Sequence, residues 1–101
     1  MASTKDYLDF VLGQLSDLDI SFRAMMGEYI IYYNGKVIGG IYDNRFLVKP
    51  TVSAKEIIPD APYELPYDGA KEMLLADIDN RDLMNKLIPA IADDLPAKKK
   101  K

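Results

Sequence analysis

The run EYIIYYNGKVIGGIY, residues 28–42, limits what this chain can fold into more than any other stretch. Asn34-Gly35 lies between two segments rich in β-branched and aromatic residues. A type I′ turn needs positive φ at both central positions, which Asn and Gly tolerate, so the stretch is a β-hairpin. A two-residue turn also fixes the pairing. Tyr33 then faces Lys36, Tyr32 faces Val37, Ile31 faces Ile38, Ile30 faces Gly39 and Tyr29 faces Gly40. Asp43-Asn44 offers a second tight turn before RFLVK. With two residues in that turn, Tyr42 faces Arg45, Ile41 faces Phe46, Gly40 faces Leu47 and Gly39 faces Val48. Pro50 lacks the N–H needed to continue the ladder and ends the strand.

Directly opposed residues share a sheet face. This register collects Ile30, Tyr32, Val37, Gly39, Ile41, Phe46 and Val48 on one side, the expected core face. The other side gathers Tyr29, Tyr33, Tyr42, Ile31, Ile38, Leu47, Lys36, Arg45 and Lys49. That mixture is too apolar for a plain solvated surface, and Tyr and Arg are favoured at interfaces. Tyr29, Tyr33, Tyr42, Arg45 and Lys49 are therefore the candidate interaction residues. Two readings of this face stay open. It contacts a partner or a second copy of the chain, or the Pro-rich loop or the last helix covers it, with Tyr29 shielding Gly40.

The remaining elements follow from periodicity. Tyr7, Leu8, Val11, Leu12, Leu15 and Leu18 form one apolar stripe, which predicts a helix from about Thr4 to Leu18. Ser3 is the expected N-cap, with Asp6 completing a capping-box variant. ISFRAM alternates as a strand, with Arg23 expected to pair with a carboxylate, and Gly27 allows a bend. Met25 and Met26, at that bend, read as packing. TVSAKEII is a short helix capped by Thr51 and stopped by Pro59. PDAPYELPYDG reads as a surface loop and KEMLLA as a fifth strand. Asp79 is the expected cap of a last helix bearing Leu83, Leu87, Ile88, Ile91 and Leu95. Pro89 either kinks that helix or starts a second one. The order α-β-β-β-β-α-β-α predicts an α+β, two-layer domain. Its mainly antiparallel sheet of about five strands carries the helices on one face.

A chain of 101 residues fits one domain, here residues 1–97, followed by a disordered Lys-rich tail at 98–101. Setting aside the four positive charges of that tail lowers the net charge from −3 to −7. Such an acidic body is a poor partner for nucleic acid, so binding of a single strand by the Tyr/Arg face and the tail is the alternative reading. The chain has no Cys and no His. A thiol nucleophile, a catalytic triad and the usual zinc ligands are thereby excluded. GKVIGG lacks the pattern of a phosphate loop. DIDNRD lacks the Gly and the bidentate Glu of a calcium loop. Asp93 and Asp94 are adjacent, so they do not project together as an acid/base pair. The sequence points to no enzyme, no metal and no cofactor. With no run of about 18 apolar residues and no secretory leader, no membrane association is expected and the location reads as cytoplasmic.

Three segments taken together, YLDFVLGQLSDL, SFRAMMGEYIIYYNGKVIGGIYDNRFLVK and PYDGAKEML, resemble the N-terminal domain of the TfoX (Sxy) family. Arg23, Met25, Met26, Gly27, Tyr33, Gly35, Asp43, Leu47, Val48 and Lys49 occupy the family's motif positions. The resemblance covers nearly the whole chain. It implies a small two-layer α/β domain and a stand-alone, single-domain member without the second, C-terminal domain of the longer regulators. Those regulators control natural DNA-uptake competence, promoting transcription with a cyclic-AMP receptor protein. The function implied is a non-enzymatic protein-interaction and regulatory domain with a protein partner, a second copy being one candidate.

Overall fold

The computed structural model describes residues 3–95. These form α1 (Lys5–Gln14), β1 (Ile20–Met25), β2 (Glu28–Tyr33), β3 (Lys36–Ile41), β4 (Phe46–Val48), α2 (Val52–Ile57), β5 (Tyr63–Glu64), β6 (Met73–Leu75) and α3 (Arg81–Asp94). The strands make one antiparallel sheet in the order β1-β2-β3-β4-β6-β5. The fold is α+β, as expected, with one strand more than the sequence suggested. The added strand is β5, inside the segment read as loop, where Tyr63 pairs with Leu74 and Glu64 with Met73. The Lys-rich tail at 98–101 lies outside the described residues. Among the described residues no helix is long and apolar enough to cross a membrane.

Three two-residue turns build the β1–β4 meander. Asn34-Gly35 and Asp43-Asn44 have φ of 51°, 80°, 53° and 56°, all left-handed as type I′ requires. The third is Met26-Gly27, where the sequence suggested only a bend. Met25 pairs with Glu28 across it, and Met26 adopts φ 53°. Its side chain is 95% exposed, and Met25 is also exposed, so neither methionine packs in the core.

One irregularity overturns the expected faces. Tyr33 pairs with Lys36 and Tyr32 with Val37 as read, but Ile31 then pairs with Gly39 and Tyr29 with Ile41. Ile38 is the extra residue of a β-bulge. A Cβ at Gly39 would collide with the Leu47 carbonyl oxygen and lie 2.9 Å from the Val48 Cα, so this close approach of β3 to β4 needs glycine. Because side chains alternate, the slip of one residue turns β2, together with Lys36 and Val37, over relative to Gly39–Ile41 and β4. Ile31 and Ile38 are consequently fully buried in the core with Ile41, Phe46 and Val48. Ile30, Tyr32 and Val37 are half-buried on the opposite face. Lys36 points to the helices, donating from Nζ to the Ala92 carbonyl at the end of α3 (3.0 Å), where a cation suits the helix dipole. The β3–β4 pairing is as read.

All three helices cover the one face. Leu8, Val11 and Leu15, Ala54 of α2, and Met84, Leu87, Ile88, Ile91 and Ala92 of α3 close a single core with the strands. Both long-helix caps sit one residue beyond the expected ones. Thr4 Oγ1, not Ser3, accepts from the Tyr7 N–H (3.1 Å), and Asn80 Oδ1, not Asp79, from the Leu83 N–H (3.0 Å). Thr51 caps α2 as expected. The first helix stops at Gln14, short of Leu18, and α3 runs through Pro89 as one helix.

Candidate functional site

The sheet face without helices is the candidate site. Alternation puts Arg23, Ile30, Gly40, Leu47 and Leu75 in one row across it, since they are successive register partners. Ser21, Tyr32 and Val37 form a second row. The segment 65–72 lies over part of this face. Arg45 holds it there, donating from Nη1 to Glu64 Oε1 (2.7 Å), from Nη2 to the Leu65 carbonyl (3.0 Å) and from Nε to the Tyr42 carbonyl (3.2 Å). The Tyr67 and Tyr42 rings meet at 6.1 Å and 56°. Tyr42, not Tyr29, covers Gly40: a Cβ there would sit 2.7 Å from its ring. A cleft of about 450 Å³ runs beside Val37, Tyr42, Lys49, Tyr67 and Lys71. The reading that the Pro-rich loop covers this surface therefore holds in part: the 65–72 segment lies over some of it and leaves the rest uncovered.

The five sequence-selected residues do not stay together. Tyr42 and Lys49 lie on the open face. Arg45 is spent holding the 65–72 segment. Tyr29 and Tyr33 are on the opposite side, packed against the core, with Tyr29 against the Phe22 ring at 6.0 Å and 74°. Of the family-motif residues, Gly27 and Gly35 serve turns, while Arg23, Met25 and Met26 are exposed. Arg23 makes no ion pair among the described residues, contrary to expectation. The residues missed were Tyr32, Tyr67 and Glu28. The sequence signal for Tyr32 is Gly39-Gly40, since glycines inside a strand mark a bulge and with it a change of register.

Glu28 ties two turns to the segment that leads into α1. Its Oε1 accepts from the Ser3 N–H (3.1 Å), the Ser3 hydroxyl (2.6 Å) and the Asp43 N–H (3.2 Å). Ser3 Oγ in turn accepts from the Asn44 N–H (3.0 Å). Burial, then the neighbouring Tyr67 and Glu28, raises the Tyr42 hydroxyl above its ordinary pKa. Among the described residues no three carboxylates gather closely enough to hold a metal. The open face offers apolar contact, aromatic rings and a few charges, which is the equipment of binding.

The sheet also has a free edge. The Asn34 N–H donates to the Asp19 carbonyl (3.1 Å), so Asp19, Ser21, Arg23 and Met25 spend their backbone groups on β2. Ile20, Phe22 and Ala24 point theirs outward, and only the Ile20 N–H is already used, on Leu18 (2.9 Å). Asp19 and Arg23 are both exposed.

The chain is 35% identical over 102 residues to a Spirochaeta aurantia protein described as an uncharacterised 12.7 kDa protein in the trpE 5′ region. The match spans 98% of this chain and 89% of that one. No family model matches the chain. No solved structure does either.

Proposed function

The chain belongs to the same family as the 12.7 kDa Spirochaeta aurantia protein, and within that family we propose for it a non-enzymatic interaction role, exercised as a pair of copies joined along β1. The observation that carries this is the edge of β1, which is complementary to itself. An antiparallel pair centred on Phe22 lets each Phe22 N–H donate to the Phe22 carbonyl of the second copy. Each Ala24 N–H then reaches the second Ile20 carbonyl, giving four hydrogen bonds in all. In that register Arg23 faces Ser21 of the second copy and has that copy's Asp19 and Arg23 on its two diagonals, so its long side chain can turn toward the carboxylate. Arg23 and Asp19, both exposed and without ion-pair partners among the described residues of one copy, thus come within reach of each other across two. The paired sheets present their open faces side by side, a broad apolar-aromatic surface. The resemblance to the TfoX (Sxy) N-terminal domain supports a regulatory use of that surface, in the cytoplasm, with a protein partner.

Sedimentation equilibrium tests the pairing. The wild type is expected to dimerise. Arg23→Glu removes both ion pairs and sets like charges together, weakening association by about tenfold. The double variant Asp19→Arg/Arg23→Glu restores it. A wild type that stays monomeric at its highest soluble concentration sinks the proposal.

A further inference from the structure

At one end of the open face, where the Met26-Gly27 turn meets the 65–72 segment, a pocket of about 470 Å³ is lined by Met25, Met26, Glu28, Tyr42 and Tyr67. That volume lies within the usual ligand range of about 300–1,000 Å³. We infer that Tyr42, Tyr67 and Glu28 form a receptor for an alkylated ammonium group. This goes beyond the β1 pairing and does not depend on it.

Three features carry the assignment. Both tyrosines line the pocket, their rings tilted by 56° with centroids 6.1 Å apart. A cation held there within about 6 Å of a ring centroid is attracted by the ring quadrupole. The third wall is a fixed negative charge. Three donors hold Glu28 Oε1, and Oε2 has no hydrogen-bond partner among the described residues. Met25 and Met26 supply polarizable thioethers and no competing charge. No Lys or Arg lines this pocket, in contrast to the neighbouring cleft with Lys49 and Lys71.

The same walls select among ligands. An anion meets Glu28. A neutral apolar molecule strips water from that carboxylate and returns nothing for it. A divalent metal ion finds one carboxylate where it needs about six oxygens. A bare ammonium is strongly hydrated, and this pocket has one acceptor to offer it. Methylation or other alkylation removes that demand while keeping the charge, and it matches rings and thioethers. The burial that raises the Tyr42 hydroxyl also keeps that ring neutral and its face available.

Tetramethylammonium chloride is the first probe, titrated into the whole chain against matched sodium chloride and followed by proton NMR of the tyrosine rings. Saturable shifts confined to Tyr42 and Tyr67 are expected. Tyr67→Phe retains binding because it keeps the ring face. Tyr67→Ala weakens binding by about three- to thirtyfold. Glu28→Gln does the same, read beside a thermal melt because Glu28 also anchors Ser3. Equal binding of neopentyl alcohol, an uncharged analogue of nearly the same size, overturns the proposal, as does unchanged binding by Tyr67→Ala. Two further arms, choline and a trimethyllysine peptide, name the source: the tighter of the two shows whether a free small molecule or a protein side chain presents the group.

Discussion

Asp94 ends α3 and supports the first turn of α2. Its carboxylate accepts from the Ser53 N–H (2.7 Å) and hydroxyl (3.1 Å), so the last turn of one helix caps the first turn of another. That backbone hydrogen bond holds Asp94 below the ordinary aspartate range, although the group is exposed. Asp17 is lowered too, by hydrogen bonds from Arg81 and Asn85. In both cases the folded pKa lies below the unfolded one. The unfolded chain therefore takes up protons first as pH falls. The stability they contribute is complete above the ordinary aspartate value of about 3.9 and drains away as pH drops below it, through the folded values. Urea melts between pH 7 and 2.5 check this: Asp94→Asn loses less stability across the acid range than the wild type. The N-caps of α1 and α3 were legible only to within one residue. Ser3 and Thr4, like Asp79 and Asn80, are neighbours with equal capping chemistry. What separates Ser3 from Thr4 is distant in sequence, since Glu28 claims the Ser3 hydroxyl.

At the scale of elements, the hairpins were legible because their turns carry their own chemistry. Asn34-Gly35 and Asp43-Asn44 announce positive φ, and both turns formed as read. Met26-Gly27 does not announce it, because methionine rarely adopts the left-handed region. That turn is held by its surroundings: Ser3 donates its N–H to the Gly27 carbonyl (3.0 Å). Met26→Asn gives the preferred Asn-Gly turn at a side chain that is 95% exposed, so nothing is lost from the core. It is expected to stabilise the chain by about 0.5–1 kcal/mol, read as a rise in thermal midpoint. The bulge was the step that sequence pattern could not settle. A turn fixes register only as far as the first irregularity, and the alternation on either side of Ile38 is equally apolar. The β3–β4 faces were therefore legible and the β2 faces were inverted, which carried Tyr29 and Tyr33 to the wrong side.

For the whole molecule, Arg45 governs how much of the open face is covered. Two of its hydrogen bonds, to Glu64 and the Leu65 carbonyl, anchor the start of the 65–72 segment beside the Asp43-Asn44 turn, through an ion pair that is about one-third exposed. Arg45→Ala is expected to cost about 1–2 kcal/mol, discounted for that exposure. It also speeds amide exchange in residues 65–72 well before it does so in β2 and β3. Equal protection in both regions would show that the segment is held by other means.

The two rims of the sheet are unequal, and this sets how far assembly can go. β1 offers six residues and β5 only two. A copy adding β1 to another's β5 has almost nothing to grip, so head-to-tail growth into filaments is suppressed. A copy adding β1 to β1 consumes both long rims at once and leaves only short ones. Under the β1 pairing proposed above, the unequal rims thus limit assembly to two copies.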